Sequence, residues 1–124
     1  MPWNFDSDRP IYAQLLEKIQ MQIVSGQFGP GDKLPSVREL ATNANVNPNT
    51  MQKAFAFLEQ SGLITTQRTS GRTVTEDIAM IKAVQKELAV THIHQFIQKM
   101  KELGFTKEEI KNLVEANIEE ENYE

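Results

Sequence analysis

The chain has 124 residues, a hydrophobic fraction of 40% and a formal net charge of −4 at pH 7. This length suffices for one small domain with an appendage. Because the sequence contains no cysteine, disulfides and thiolate metal sites are excluded, and a reducing cytoplasm is expected. The first residues lack a signal-peptide pattern and no apolar run reaches membrane-spanning length, so we expect no membrane partner.

The charge is distributed unevenly along the chain. Residues 1–76 carry seven Lys or Arg and seven Asp or Glu, whereas residues 77–124 carry six and ten. Between positions 33 and 74 there are five basic and two acidic residues, a local surplus of three positive charges. A surface that binds phosphates requires only such a local surplus.

The first predicted helix lies near the N-terminus, where Asp8 is a candidate cap. Apolar side chains recur at helical spacing from Ile11 to Ile23, and Gly26 is expected to end the helix. The segment over residues 26–31 contains three glycines and a proline, which predicts a connector rich in turns.

Two short helices are predicted next, separated by a tight turn. Ser36 and Glu39 have the spacing of a capping box, at the start of a helix over about residues 36–43. The pair Asn47 and Pro48 is typical of the start of another helix. Helical spacing predicts that this helix buries Met51, Ala54, Phe55 and Leu58. Its outer face near the N-terminus then carries Asn49, Thr50, Gln52 and Lys53.

Runs rich in β-formers over residues 63–67 and 72–75 flank Arg68-Thr69-Ser70-Gly71 and predict a two-stranded hairpin. In a winged helix-turn-helix, two helices and a hairpin follow in this order, and the second helix enters the major groove of DNA. We therefore predict an α+β, mostly α fold with a DNA-binding winged helix-turn-helix domain over residues 1–76.

Residues 77–124 are predicted to form a short two-helix dimerisation tail. Apolar residues mark one long helix ending near Gly104, although their spacing drifts between Leu88 and Ile93, which leaves a break there open. Thr106 and Glu109 have capping-box spacing at the start of the last helix. The apolar stripes need a partner, and we expect a second copy of the chain to bury them through Ile93, Phe96, Ile97, Met100, Leu103, Ile110, Leu113 and Val114.

Several separated motifs resemble the GntR family of bacterial transcription regulators over about residues 8–76. They lie, in the family's order, at residues 8–15, 31–41, 46–50 and 58–63. The helical tail is similar to that of the YtrA-type subgroup, which lacks the large effector-binding domain of other members. The resemblance implies a homodimeric repressor of a transport-related operon that binds an inverted repeat in double-stranded operator DNA; whether a small-molecule effector exists stays open.

The resemblance also implies roles for single residues. Arg38 matches an arginine that contacts a guanine or a phosphate, Thr50 matches a threonine that contacts a phosphate, and Gly71 matches a glycine of the wing at the minor groove. Many members carry arginines where this chain has Pro48 and Gln52, so their guanine contacts are not carried over. The candidate DNA-binding residues are Lys33, Ser36, Arg38, Asn47, Asn49, Thr50, Gln52, Lys53, Arg68, Gly71 and Arg72.

Other interpretations of these residues remain open at this point. Arg38 could simply be solvated, and the winged helix and the tail could form an interaction module that binds another polypeptide. His92 and His94 do not predict a metal site, because residues two apart on a helix point about 200° apart. Since no nucleophile with a base, phosphate-binding glycine loop or metal spacing is present, we expect neither an enzyme nor a cofactor.

Overall fold

The computed structural model describes residues 3–69 and 71–121. In chain order its elements are α1 (Ile11–Val24), α2 (Val37–Ala44), α3 (Pro48–Ser61), β1 (Ile64–Gln67), β2 (Gly71–Val74), α4 (Ile78–Glu102) and α5 (Lys107–Glu121). The chain divides into two compact units, Met1–Gln85 and Lys86–Glu124. The predicted order of two helices and a hairpin is confirmed; Ser70, predicted in the hairpin turn, lies outside the described residues.

The core of the first unit is built mainly from α1, α2, α3 and the hairpin. The four residues predicted to line α3, Met51, Ala54, Phe55 and Leu58, are all fully buried. They share one cluster with apolar residues of α1 and with Ile64 and Val74 of the two strands. Burial of each large side chain contributes about 1.5–3 kcal/mol. This core fixes which face of α3 is turned outward.

Local capping signals define the starts of α2 and α3. Ser36 Oγ accepts from the amide of Glu39 at 3.0 Å, and Glu39 Oε1 accepts from the amide of Ser36 at 3.4 Å, which confirms the capping box. Asn47 Oδ1 accepts from the amide of Asn49 at 2.7 Å. Between the helices Asn45 adopts a left-handed conformation with φ of 57°, which Asn tolerates better than most residues.

The predicted cap of α1 is wrong. The helix begins after Pro10 without a side-chain cap, and Asp8 plays no part in it. Instead, the buried side chain of Gln14 accepts from the amide of Asp6 at 2.7 Å and donates to its carbonyl at 2.9 Å. The chain before α1 is therefore held by a carboxamide from within the helix.

The connector between α1 and α2 forms more regular structure than the sequence predicts. Lys33 pairs with Thr73 in an antiparallel bridge. Leu34 donates its amide to the carbonyl of Arg72 at 2.9 Å, and the amide of Val74 donates to the carbonyl of Asp32 at 2.9 Å. Beside β1 and β2, which pair from Ile64–Val74 to Gln67–Gly71, the wing thus has a third extended segment.

Helix α4 is continuous over 25 residues, without a break between Leu88 and Ile93. Ile81 is buried in the core of the first unit and Val84 packs against that core. The first unit consequently extends to Gln85, beyond the boundary at residue 76 that the sequence predicts. Apolar residues three apart on the first turns of α4 account for this extension.

The second unit contains the remainder of α4 and α5. The capping box at the start of α5 is confirmed, since Glu109 Oε1 accepts from the amide of Thr106 at 2.9 Å and Thr106 Oγ1 accepts from the amide of Glu109 at 3.3 Å. None of the described helices is both long enough and apolar enough to cross a bilayer.

Candidate nucleic-acid interface

The outer face of α3 near its N-terminus is polar. Asn49, Gln52 and Lys53 are exposed and Thr50 is half-buried, because burial of Met51, Ala54 and Phe55 turns these positions outward. Amide and ammonium groups on an exposed helical face are suited to bind base edges and phosphates. Asn47, at the cap, uses its side-chain oxygen within the helix and retains its amide NH₂ as a donor.

A shallow groove runs along α2 beside its capped N-terminus. It is lined by Ser36, Arg38, Thr42 and Asn43, among others, and Arg38 is exposed there. The Ser36 hydroxyl accepts the capping hydrogen bond and keeps its own proton for donation. Two of the predicted site residues, Ser36 and Arg38, therefore line the same groove.

A second groove lies between the start of α2 and the wing. Its lining includes Lys33, Ser36, Glu39, Thr69, Gly71 and Arg72. The bridge between Lys33 and Thr73 places the lysine side chain beside the tip of the wing. A Cβ added at Gly71 would lie 3.8 Å from Lys33 Cε. Gly71 has φ of 78°, a conformation that favours glycine. Ser36 and Glu39 line both grooves.

The two arginines of the wing differ in their surroundings. Arg68 is exposed in the turn. Arg72 donates from Nε to Glu59 Oε1 of α3, and its Cζ lies 5.4 Å from the centroid of the Phe55 ring. The Arg72 side chain is 26% exposed. One of the basic residues counted in the surplus of positive charge is thus paired within the chain.

Lys53 also has a partner, and it is aromatic. Its Nζ lies 3.9 Å from the centroid of the Tyr12 ring of α1. Tyr12 in turn stacks on Phe57 of α3, with centroids 5.6 Å apart and planes 13° from parallel. Reasoning from the sequence missed this group, although Phe57 lies one helical turn after Lys53 and does not belong to the buried stripe.

The residues predicted to dimerise leave a large apolar surface on the second unit. Ile110 is buried and Ile97, Met100 and Val114 are half-buried. The other predicted residues are exposed, namely Ile93, Phe96, Leu103 and Leu113, and Leu103 is 72% exposed. Val90 and Ile118, outside the predicted set, are exposed as well. Six large apolar side chains of the second unit are therefore exposed among the residues that the structure describes.

Among the described residues, Arg9 and Glu109 have shifted pKa values, and both lie outside the candidate interface. Hydrogen bonding to Glu17 and its negative charge raise the pKa of Arg9. Hydrogen bonds from the amide and the hydroxyl of Thr106 lower the pKa of Glu109. Within residues 3–69 and 71–121, no three His, Asp or Glu side chains come together in an arrangement that could hold a metal ion.

Comparisons with known proteins agree with this geometry. The sequence pattern described as "Bacterial regulatory proteins, gntR family" matches residues 11–74. The chain is 40% identical over 107 residues to the uncharacterized HTH-type transcriptional regulator YhcF of Bacillus subtilis. This alignment covers 86% of this chain and 88% of YhcF. It is 41% identical over 93 residues to the HTH-type transcriptional repressor YtrA of Bacillus subtilis, covering 68% of this chain and 72% of YtrA. These relatives are named as regulators, not as enzymes.

Solved structures share the fold. A GntR family transcriptional regulator from Listeria monocytogenes has a TM-score of 0.82 at 43% identity, over 90% of this chain and 98% of the regulator. The structure of AraR(DBD) in complex with operator ORX1 has a TM-score of 0.54 at 30% identity, over 58% of this chain and 93% of that one. The similarity to AraR therefore covers little more than half of this chain.

Proposed function

This chain belongs to the GntR family, whose members are DNA-binding transcriptional regulators, and from that premise we propose that it is a homodimeric repressor of a transport-related operon in the cytoplasm. Each subunit inserts the N-terminal half of α3 into the major groove at one half of an inverted repeat. Similarity to the repressor YtrA supports repression, and the AraR complex supports operator DNA as the ligand. The link to transport rests on the resemblance to the YtrA-type subgroup.

The observation that carries this proposal is the exposed polar face of α3 with two grooves alongside α2 that share Ser36 and Glu39. Asn49 and Gln52 have the donor and acceptor pair that recognises adenine. Phosphates are bound by Lys33, Arg38, Thr50, Lys53 and Arg68, with hydroxyl and amide donors from Ser36 and Asn47. Gly71 lets the backbone of the wing approach the minor groove. Arg72 acts indirectly, by fastening the wing to α3.

The exposed apolar side chains of the second unit support the proposal that the chain dimerises. When a partner buries the exposed apolar side chains of α4 and α5, each Å² removed from water contributes about 25 cal/mol to the free energy of association. A second copy offers the same surface, and a two-fold axis then pairs like with like. Two half-site contacts joined in one dimer bind more tightly than either alone, because the second contact is made at high effective concentration.

Selection of binding sites from random duplex DNA with the full-length chain tests the proposal. We expect a motif with two-fold symmetry, whose affinity falls steeply as the salt concentration rises. An enriched motif without symmetry contradicts binding as a dimer. No enrichment, together with affinity that is insensitive to salt, favours the alternative of a protein interaction module.

A further inference from the structure

Tyr12 in α1 links two side chains of α3 on the surface of the first unit. Its ring stacks on Phe57 and carries the Lys53 ammonium 3.9 Å from its centroid. Because Lys53 and Phe57 are four residues apart, they lie on one face of α3. The three side chains form one group, which we call the Tyr12 cluster.

Core packing alone does not account for the Tyr12 cluster. Phe57 is 41% exposed and Lys53 is also exposed, whereas Phe55 and Leu58 on the same helix are fully buried. An exposed lysine ordinarily samples many rotamers, and any ligand that binds it must remove that freedom. In this chain the ammonium instead has a specific partner, the face of the Tyr12 ring, and this contact favours one of those rotamers.

The chemical nature of the partner determines what a held cation can still do. The face of an aromatic ring attracts an ammonium through its quadrupole but leaves the positive charge uncompensated and the N–H donors available. A carboxylate neutralises its partner, as Glu59 does for Arg72. The contact with Tyr12 therefore favours one position of the Lys53 ammonium and leaves its donors for an anion, which lowers the entropic cost of binding that anion.

We propose that Tyr12 is a positioning residue that holds Lys53 for a backbone phosphate of bound DNA, with Phe57 supporting the ring. This inference rests on the proposed function and deepens it. Lys53 lies in the second turn of α3, close in sequence to the candidate base contacts Asn49 and Gln52. Contacts to phosphates fix the register of a protein on the duplex and are made whatever the base sequence.

The test compares the affinity of full-length variants for two duplexes of equal length, the selected operator and an unrelated sequence. Tyr12→Leu weakens binding to both by about two- to fivefold, the range expected for an exposed cation–π contact. Tyr12→Phe keeps the ring and the parental affinity. In a Lys53→Met background, Tyr12→Leu has no further effect. Phe5→Leu is the matched control, because it removes the ring 5.9 Å from Lys18 Nζ and leaves DNA affinity unchanged.

Three results overturn the positioning role while leaving the proposed function intact. They are parental affinity in Tyr12→Leu, an equal weakening by Tyr12→Leu in the Lys53→Met background, and a weakening in Tyr12→Phe as large as in Tyr12→Leu. If the parent chain binds neither duplex in a salt-dependent manner, the proposed function fails and this inference fails with it.

Proton NMR of the unsubstituted chain provides a measurement that does not depend on whether Tyr12→Leu folds. We expect the ring current of Tyr12 to shift the ε-methylene protons of Lys53 upfield in the free protein. We expect this shift to persist when duplex DNA is added, because the ring and the phosphate hold the same ammonium. Its disappearance on DNA binding shows that Lys53 leaves the ring, and overturns the proposal.

Discussion

Arg72 on β2 donates from Nε to the carboxylate of Glu59 on α3, so that the wing is fastened to the helix that carries the candidate base contacts. The two residues are 13 positions apart in sequence. The guanidinium also lies over Phe55 of the core. One arginine therefore connects the wing with α3 and the core. A substitution of Arg72 can alter the position of the wing even if Arg72 makes no contact with DNA.

Replacing Arg72 by Ala is expected to lower the free energy of unfolding by about 1 kcal/mol, since a partly exposed ion pair and a cation–π contact each contribute up to about that amount. A double-mutant cycle with Glu59→Gln, measured by urea denaturation, reports the coupling between the two side chains. Arg68→Ala is the matched control on the same wing. It leaves stability unchanged because Arg68 is exposed.

The salt dependence of DNA binding separates the roles of these two arginines. Arg68→Ala should reduce the slope of log affinity against log salt by about 0.9 for each phosphate that the variant no longer neutralises. Arg72→Ala should leave that slope at the parental value. A smaller slope in Arg72→Ala together with unchanged stability would mean that Arg72 binds a phosphate directly.

Arg38→Ala should weaken specific operator binding by about 1–3 kcal/mol. Because Arg38 is exposed, the thermal unfolding midpoint should not change. Titration on the selected operator checks the first expectation, and calorimetry checks the second. Lys82→Ala removes an exposed lysine from α4 and serves as the control. Equal affinities of Arg38→Ala and the parent would remove Arg38 from the interface.

Gln52→Ala should change which bases are preferred more than it changes affinity for unrelated DNA, because a carboxamide reads base edges and carries no charge. Repeating the site selection with this variant measures the change directly. Lys53→Met provides the contrast, with uniformly weaker binding and an unchanged motif. If the motif selected by Gln52→Ala is identical at every position, direct recognition by Gln52 is ruled out.

Local signals made much of the fold predictable. The capping boxes at Ser36 and Thr106 and the buried stripe of α3 depend on residues within one or two helical turns, and each is present as predicted. The cap at Asp8 failed because Gln14, a residue inside the helix, binds the preceding backbone instead. A side chain that reaches back from a buried position leaves no periodic signal in the sequence.

The electrostatics of the candidate interface could not be predicted from counts of charge. Lys33 reaches the wing through pairing of a connector with β2. Arg72 and Lys53 acquire partners from other elements, Glu59 and Tyr12. Such contacts depend on how separate elements pack, whereas a count treats every cation as free. The same count therefore included one arginine that is paired with a carboxylate and one lysine that lies over an aromatic ring.

The capping box of α5 gives a prediction about pH. Hydrogen bonds from Thr106 lower the pKa of Glu109, so its carboxylate stabilises α5 above its unfolded-state pKa, and this stabilisation disappears as the pH falls through the lowered value. Carbon NMR titration of Glu109 should show a higher midpoint in Thr106→Ala than in the parent. Thr106→Ser, which keeps the hydroxyl, should retain the parental midpoint. Because Thr106→Ala keeps the amide donor, equal midpoints in this variant and the parent would assign the lowered pKa of Glu109 to the amide and exclude the hydroxyl.

The proposed dimerisation role of the tail can be tested with one substitution in the full-length chain. If the chain dimerises as proposed, Phe96→Ser should make it monomeric, because Phe96 is 43% exposed in a single chain and the proposed interface would bury it. Helix content should not change, and operator affinity should fall by about a hundredfold or more because the second half-site contact is no longer made at high effective concentration.

Substitution is preferable to truncation at residue 76, which would remove Ile81 and Val84 from the core of the first unit. Sedimentation equilibrium measures the state of association, with Gln95→Ser, at an exposed polar position on the same helix, as the control. A Phe96→Ser protein that stays dimeric and binds the operator as tightly as the parent would exclude this face as the dimer interface.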